Sequence, residues 1–197
     1  MAHHREPDGE QLDPRLTAVE LLDVIRPTVA VAWFVAYAGH ALHRWPNRER
    51  LRSGDVAYAE AFTHELRRFY PFAPFIGGRA VKTLTWNGDR IPKHAMVLLD
   101  LWGQNHDAEL WGDPYTLRPE RFLGHDIGAY ELVPQGGGDP HTNHRCPGEP
   151  FSIGIVRTLA GRLATLDYDV PEQDLSISLR RVPARPKSGF ILVPRPS

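Results

Sequence analysis

Gly136-Gly137-Gly138-Asp139-Pro140-His141-Thr142-Asn143-His144-Arg145-Cys146-Pro147-Gly148-Glu149 is the stretch that decides the fold, and it carries the only cysteine of the chain. Three glycines lead in, His144 and Arg145 stand directly before the thiol, and Pro147-Gly148 follow. A helical pattern opens at once afterwards. Pro150 suits a first turn, and Phe151, Ile155, Leu159, Leu163 and Leu166 recur every three to four residues as an amphipathic stripe. Cys146 therefore stands just ahead of a helix N-terminus, where the macrodipole favours a thiolate, the form of cysteine that binds metals. A metal-bound thiolate is the sharp reading; a small core residue is the bland one. Cysteine-protease chemistry is a rival, because it asks only for a histidine base nearby in space and the chain has ten histidines. The Gly136–Gly138 run lacks the Gly-Lys-Ser/Thr of a phosphate loop and reads better as a turn. Asn105-His106-Asp107 offers metal-ligand types but reads better as a helix cap.

Working outward, 197 residues suit one domain with a sizeable core. Hydrophobic residues make up 42%, charged residues 24%, and the net charge is −1. That balance gives no electrostatic case for nucleic acid or an anionic membrane. A single cysteine rules out an internal disulfide and any multi-cysteine zinc site. The N-terminus lacks the apolar stretch of a signal peptide. The longest apolar run, Val29 to Leu42, is too short to span a bilayer comfortably. These features read as a soluble, cytoplasmic protein. His3-His4 read as part of a native loop rather than a tag.

Upstream, residues 1–16 are polar and turn-rich. A helix is predicted from Thr17, with Thr17 as N-cap and Glu20 as its capping-box partner. Pro27 is predicted to kink or interrupt it. The helix then continues through Val29, Trp33, Phe34, Tyr37 and Leu42, apolar on nearly every face and so predicted to be buried. Arg26 lies at the start of that run. Either it pairs with Asp23 at the surface or it meets a buried anion. Trp45-Pro46-Asn47 ends the segment, and Asp55 caps a second helix running to about Phe69. Glu65 and Arg68 share a face of it, where an exposed pair would be worth little. Pro71 to Gly78 reads as a rigid apolar loop, Ala80 to Trp86 and Met96 to Leu101 as strands, and Asn87-Gly88 as a tight turn. Asn105 to Trp111 reads as a short helix or turn, Arg118 to Phe122 as irregular structure, and the tail from Leu175 to Pro194 as a small β-structure.

Three separated patterns now stand in order: Glu65-Leu66-Arg67-Arg68 (Glu-x-x-Arg), Arg118-Pro119-Glu120-Arg121-Phe122, and Cys146-Pro147-Gly148 opening a helix. Together they resemble the C-terminal half of a cytochrome P-450. The resemblance implies a mainly α fold with small β-sheets, and a partial domain over residues 1–197 that lacks the family's N-terminal half. Met1 is then either a start assigned inside a longer reading frame or a true truncation. It also implies heme b as cofactor with Cys146 as its proximal ligand, whose electron donation favours O–O cleavage. Glu65, Arg68 and Arg121 would form a buried network supporting the cysteine loop. Arg79, Gln135 and His144 match cofactor-binding positions.

The long loop from Pro134 to Glu149, and Arg26-Pro27 on the long helix, resemble the bacterial fatty-acid peroxygenase branch of that family. Ordinary members carry an acid–threonine pair on this helix for O₂ activation. Between Pro27 and His43 this chain has no Asp or Glu, and its only hydroxyls there are Thr28 and Tyr37. The branch resemblance implies that Arg26, with Pro27, binds a fatty-acid carboxylate through a bidentate fork. That carboxylate would act as general acid–base on hydrogen peroxide. Hydroxylation would follow at the α or β carbon, with no redox partner required and Phe72 lining the substrate channel. Two alternatives stand beside it. One is a conventional monooxygenase fed with electrons by a redox partner; the other is a non-catalytic fragment.

Overall fold

The structure is a computed structural model that describes Arg5 and residues 7–196. Met1 and the His3-His4 pair lie outside the described residues. Four helices build the body: α1 (Pro14–Arg44), α2 (Arg48–Arg52), α3 (Val56–Phe69) and α6 (Glu149–Thr165). Between them lie the strands β1 (Phe75–Arg79), β2 (Leu84–Trp86), β3 (Asp89–Ile91) and β4 (Met96–Asp100), and the short helices α4 (Leu101–Asn105) and α5 (Ala108–Trp111). A 3-10 turn covers Pro119–Phe122, and β5 (Tyr168–Asp169) and β6 (Val193–Pro194) follow α6. The chain is thus mainly α with small sheets, as the resemblance implies.

The start of α1 differs from the prediction. Asp13, not Thr17, is the N-cap: its carboxylate accepts from the Arg15 and Leu16 N–H groups at 2.9 and 3.2 Å. Pro14 at the first helical position loses nothing, because its N–H would have no partner there. Asp13-Pro14 therefore outcompetes a threonine three residues later. The helix runs unbroken through Pro27. Burial grades along it: Tyr37 through Leu42 are enclosed on every side, whereas Leu22, Val24 and Val29 are more than half exposed. The prediction of all-round burial holds only for the C-terminal half.

Asp55 caps α3, accepting from the Tyr58 N–H at 2.9 Å. Asn87 and Gly88 both have positive φ, 48° and 90°, and close the β2–β3 hairpin, as their left-handed preference requires. The apolar segment before it is not a loop throughout. Phe75–Arg79 is a strand, antiparallel to β4 with Phe75 opposite Asp100 and Arg79 opposite Met96. The predicted strand over Ala80–Trp86 shrinks to Leu84–Trp86.

Val31, Phe34, Tyr37, Phe62, Leu66 and Val156 join α1, α3 and α6 in one core. The buried row of α6 is Ser152, Val156, Ala160 and Ala164, one position on from the predicted stripe; Phe151 is 67% exposed. Small side chains let α6 lie close to both neighbours, and the larger ones flank the contact. Among the described residues no helix is long and apolar enough to cross a membrane.

Candidate functional site

The loop from Pro134 to Gly148 is closed on itself by backbone contacts. The Cys146 N–H donates to the Gln135 carbonyl at 2.9 Å, and the Glu149 N–H donates to the Cys146 carbonyl at 3.2 Å. Gly136 has φ 91°, and a Cβ there would come within 2.0 Å of the His144 carbonyl oxygen. Only glycine satisfies both the backbone and the close approach. The loop feeds α6, which starts three residues after Cys146.

Cys146 walls a cavity of about 310 Å³, together with His144, Gln135 and Gly136 of its own loop. The facing wall is α1, through Pro27, Thr28, Ala30, Val31 and Phe34; Phe72, Ile76 and Leu101 close the side. Phe72 stacks on Phe34 with 4.9 Å between ring centroids. The structure therefore brings Cys146, His144, Gln135, Phe72 and Pro27 together. Arg26 is exposed and lines the adjoining groove, which shares Pro27, Ala30 and Phe72 with the cavity. Among the described residues it makes no ion pair with Asp23 or any other acid. Arg79 ends β1 in an exposed position outside the cavity wall. Asn105-His106-Asp107 is a helix junction in which Asp107 caps α5, and no metal-binding cluster occurs among the described residues.

Beneath the loop, two ionic networks replace the solvated pair that the spacing of Glu65 and Arg68 also allowed. Glu65 and Arg68 are fully buried and joined by two hydrogen bonds of 2.8 Å. Arg121 Nε approaches the same carboxylate at 3.1 Å, and the Arg118 N–H donates to it at 2.8 Å. Further guanidinium hydrogens go to carbonyls: Arg68 to Asn105 and Pro114, Arg121 to Trp111, Asp113 and Thr116. Asn105 in turn accepts from the Val133 N–H at 3.1 Å, at the mouth of the cysteine loop. One carboxylate and two arginines thus hold the segments that lead into the loop, with most donors and acceptors matched.

The second network escaped the sequence reading. Arg67, 1% exposed, donates to the Glu149 carboxylate and, through Nε, to the Gln135 side chain at 3.1 Å. Arg145 takes the other side of Glu149, at 2.6 and 3.0 Å. Burial alone would raise the Glu149 carboxyl; hydrogen bonds from Arg145 and the charge of Arg67 outweigh it and hold it below its ordinary value. Burial, aided by Arg67, pulls His64 down to about 4, so it is neutral at pH 7 and its Nδ1, 3.3 Å from Arg67 Nη1, acts as acceptor. His64, Arg67, Arg145, Glu149 and Cys146 all border one small cavity behind the loop. Two guanidiniums against one carboxylate leave a single excess positive charge beside the sulfur, which an anionic sulfur ligand offsets. The clue in the sequence was Arg145 and Glu149 at helical spacing; the partner 82 residues upstream was not readable.

Heme, the cofactor that the resemblance implies, fits these residues. The donor set is a single soft sulfur on a glycine-built loop, the opposing wall is apolar helix, and the positive charge behind the sulfur suits a thiolate. Cys146 would hold the group, and Ala30, Val31, Phe34 and His144 line the same cavity.

Comparison with known proteins points the same way. The cytochrome P-450 family model matches residues 50–170. A structure of cytochrome P-450 SP alpha in complex with (R)-ibuprofen superposes with a TM-score of 0.84 and 44% identity, over 96% of this chain and 47% of that one. A variant of cytochrome P-450 OleT in complex with arachidonic acid gives 0.84 and 41%, over 96% and 46%. Among curated relatives, carnosic acid synthase of Rosmarinus officinalis is 36% identical over 113 residues, 55% of this chain and 22% of its own length. Cytochrome P-450 1A2 of Rattus norvegicus is 33% identical over 148 residues, 71% of this chain and 27% of its own. The chain spans about half the length of the solved structures it matches, 47% for the first of them. With the matched region covering well over half of its residues, and Cys146, Glu65, Arg68 and Arg121 assembled as described, this chain belongs to the cytochrome P-450 family.

Proposed function

We propose that this chain is the heme-thiolate part of a peroxygenase that hydroxylates long-chain fatty acids at the α or β carbon with hydrogen peroxide. One observation carries the reading. The cavity walled by Cys146 shares Pro27, Ala30 and Phe72 with the groove that holds Arg26. A carboxylate paired with Arg26 would sit at the boundary of the two, with its first carbons directed along the apolar wall. Guanidinium and carboxylate match as a bidentate pair. Arachidonic acid in the OleT complex is a ligand of this class.

Heme, when bound, supplies the iron at which peroxide is cleaved. The rest falls to the chain and its substrate. Cys146 would hold the heme iron through its sulfur, and the Glu65 and Glu149 networks hold its loop. Arg26 orients the carboxylate, which takes and returns one proton as peroxide breaks. His144 and Gln135, which line the cavity, would hold the cofactor's edge, and Arg79, on the exposed end of β1, would supply a positive charge for its carboxylates.

The hydroxyls of α1 support peroxide over O₂ with a redox partner. Thr28 Oγ1 donates to its own helix at the Val24 carbonyl, 2.8 Å away, and the Tyr37 hydroxyl donates to the Ala184 carbonyl. Neither pairs with an acid for proton delivery, and α1 has none between Pro27 and His43. The test is product analysis after adding hydrogen peroxide and a long-chain fatty acid to heme-loaded protein, with no reductase. Hydroxy acid that disappears in Arg26→Ala supports the reading. Product formed only when a reductase is supplied refutes it.

A further inference from the structure

An aromatic column behind the cavity takes no part in that chemistry. Phe34, in the cavity wall, meets Tyr37 edge-on with 6.2 Å between ring centroids. Tyr37 stacks on Tyr70 at 4.5 Å, with 13° between the rings. The Tyr70 hydroxyl stands 2.5 Å from Nδ1 of His40. Tyr37, Tyr70 and His40 are all buried. On its far side the column reaches a second cavity of about 420 Å³, walled by Tyr70, His40, Trp45, Phe69 and Trp102.

The two phenols are not equivalent. Tyr37 donates to the Ala184 carbonyl, which accepts a hydrogen bond but takes no proton. Tyr70 faces an imidazole. Burial, with Arg44 and His43 adding to it, lowers His40 to about 4, so the ring is neutral at pH 7. A neutral ring with its proton on Nε2 accepts at Nδ1, and the Tyr70 phenol donates. An oxidised phenol is a far stronger acid than imidazolium, so loss of an electron from Tyr70 would deliver its proton to His40. Hydrogen-bond satisfaction alone accounts for the Tyr70–His40 contact. It does not account for a near-parallel phenol stack set between Phe34, in the wall of the first cavity, and the second cavity, which Tyr70 lines.

We propose that Tyr37, Tyr70 and His40 form a one-electron relay between the two cavities, through which a phenol-class donor in the second cavity is oxidised. The proposal takes its oxidant, peroxide reacting in the Cys146 cavity, from the reading given above. One electron leaves Tyr70 through the Tyr37 ring, and the Tyr70 proton moves to His40 Nδ1. The donor then returns one electron to Tyr70, His40 returns the proton, and the donor leaves as a phenoxyl radical after losing its own proton to water. Two such passages reduce one hydrogen peroxide to two waters.

The test is electron paramagnetic resonance on protein carrying ring-deuterated tyrosine, which marks a tyrosyl radical without any substitution. One arm freezes the heme-loaded protein after hydrogen peroxide with acetate, which supplies the carboxylate that peroxide cleavage requires but no chain to hydroxylate; the other uses flash-generated tris(bipyridine)ruthenium(III) and no peroxide. Both arms should give a tyrosyl signal that is lost in Tyr70→Phe, and 2-methoxyphenol should discharge it. An unchanged signal in Tyr70→Phe, or no tyrosyl signal after the flash, overturns the relay. So does a flash signal without a peroxide signal in protein that hydroxylates fatty acid with peroxide. A flash signal at Tyr70 in protein that does not consume peroxide supports the Tyr70–His40 pair and refutes the peroxide reading instead.

Discussion

Arg67, on α3, closes on Glu149, the first residue of α6, and the two lie 1% and 4% exposed with Cys146 on the same small cavity. Arg67 also grips Gln135, whose carbonyl receives the Cys146 N–H. Both limbs of the cysteine loop are thus tied to one guanidinium. Removing one partner of a buried pair strands the other, at a cost of about 3–5 kcal/mol. Arg67→Ala should lose that much stability in urea unfolding and hold heme more weakly. A loss comparable with an exposed pair, under about 1 kcal/mol, would show that the network is not what holds the loop.

Glu65 accepts from Arg68 and the Arg118 N–H and stands against Arg121. Glu65→Gln keeps the shape but removes the charge that two buried guanidiniums require. The expected outcome is a loss of about 3–5 kcal/mol, read as a lower urea midpoint, with cofactor titration showing a smaller bound fraction. Glu60→Gln is the control on the same helix. Its partners Arg157 and His64 lie at 3.3 and 3.9 Å with Glu60 half exposed, so little change is expected there.

Two glycines separate backbone strain from steric exclusion. Gly54 has φ 78° with open space where a methyl group would stand, whereas at Gly136 an added methyl would strike the His144 carbonyl. Gly54→Ala should cost only the left-handed backbone, about 1–2 kcal/mol. Gly136→Ala should cost clearly more in thermal unfolding and should displace Cys146, seen as loss of heme binding. Equal effects of the two substitutions would argue against a closed loop.

Acid stability follows from two buried histidines and one that is partly buried. His40, His64 and His106 are each lowered to about 4, in each case mainly by burial, with nearby arginines contributing. Unfolded, they return to an ordinary value of 6.5. Between these values the unfolded chain binds more protons than the folded one, so stability must fall as pH falls through that window. Urea midpoints from pH 7 down to about 4 should decline, and His40→Gln should flatten the slope. A slope unchanged by removing any one of the three histidines would contradict their burial as neutral rings.

Much of the fold is readable because its signals are local. Asp55 before an apolar-periodic run, Asn87-Gly88 between short strands, and Pro150 in a first turn each act within a few residues. Asp13-Pro14 is equally local, yet Thr17 with Glu20 offers a competing cap signal that the folded chain does not use. The stripe of α6 misleads because large apolar side chains mark the period, while the buried row consists of residues small enough for close helix contact. At the site, Cys146, Glu65, Arg68 and Arg121 are legible as an ordered set. Arg67 is not, since nothing near it in the chain shows that Glu149 and Gln135 will stand beside it. Arg26 is legible as a residue type, but only the structure separates its groove from the cysteine cavity.

The proposed ligation of heme by Cys146 underlies the functional reading, and carbon monoxide bound to the reduced, heme-loaded protein reports it most directly. The strongly red-shifted Soret band of a thiolate-ligated heme is expected, and Cys146→Ala should abolish it. The same band persisting in Cys146→Ala, or its absence from heme-loaded wild-type protein, would contradict the assignment of Cys146 as the axial ligand.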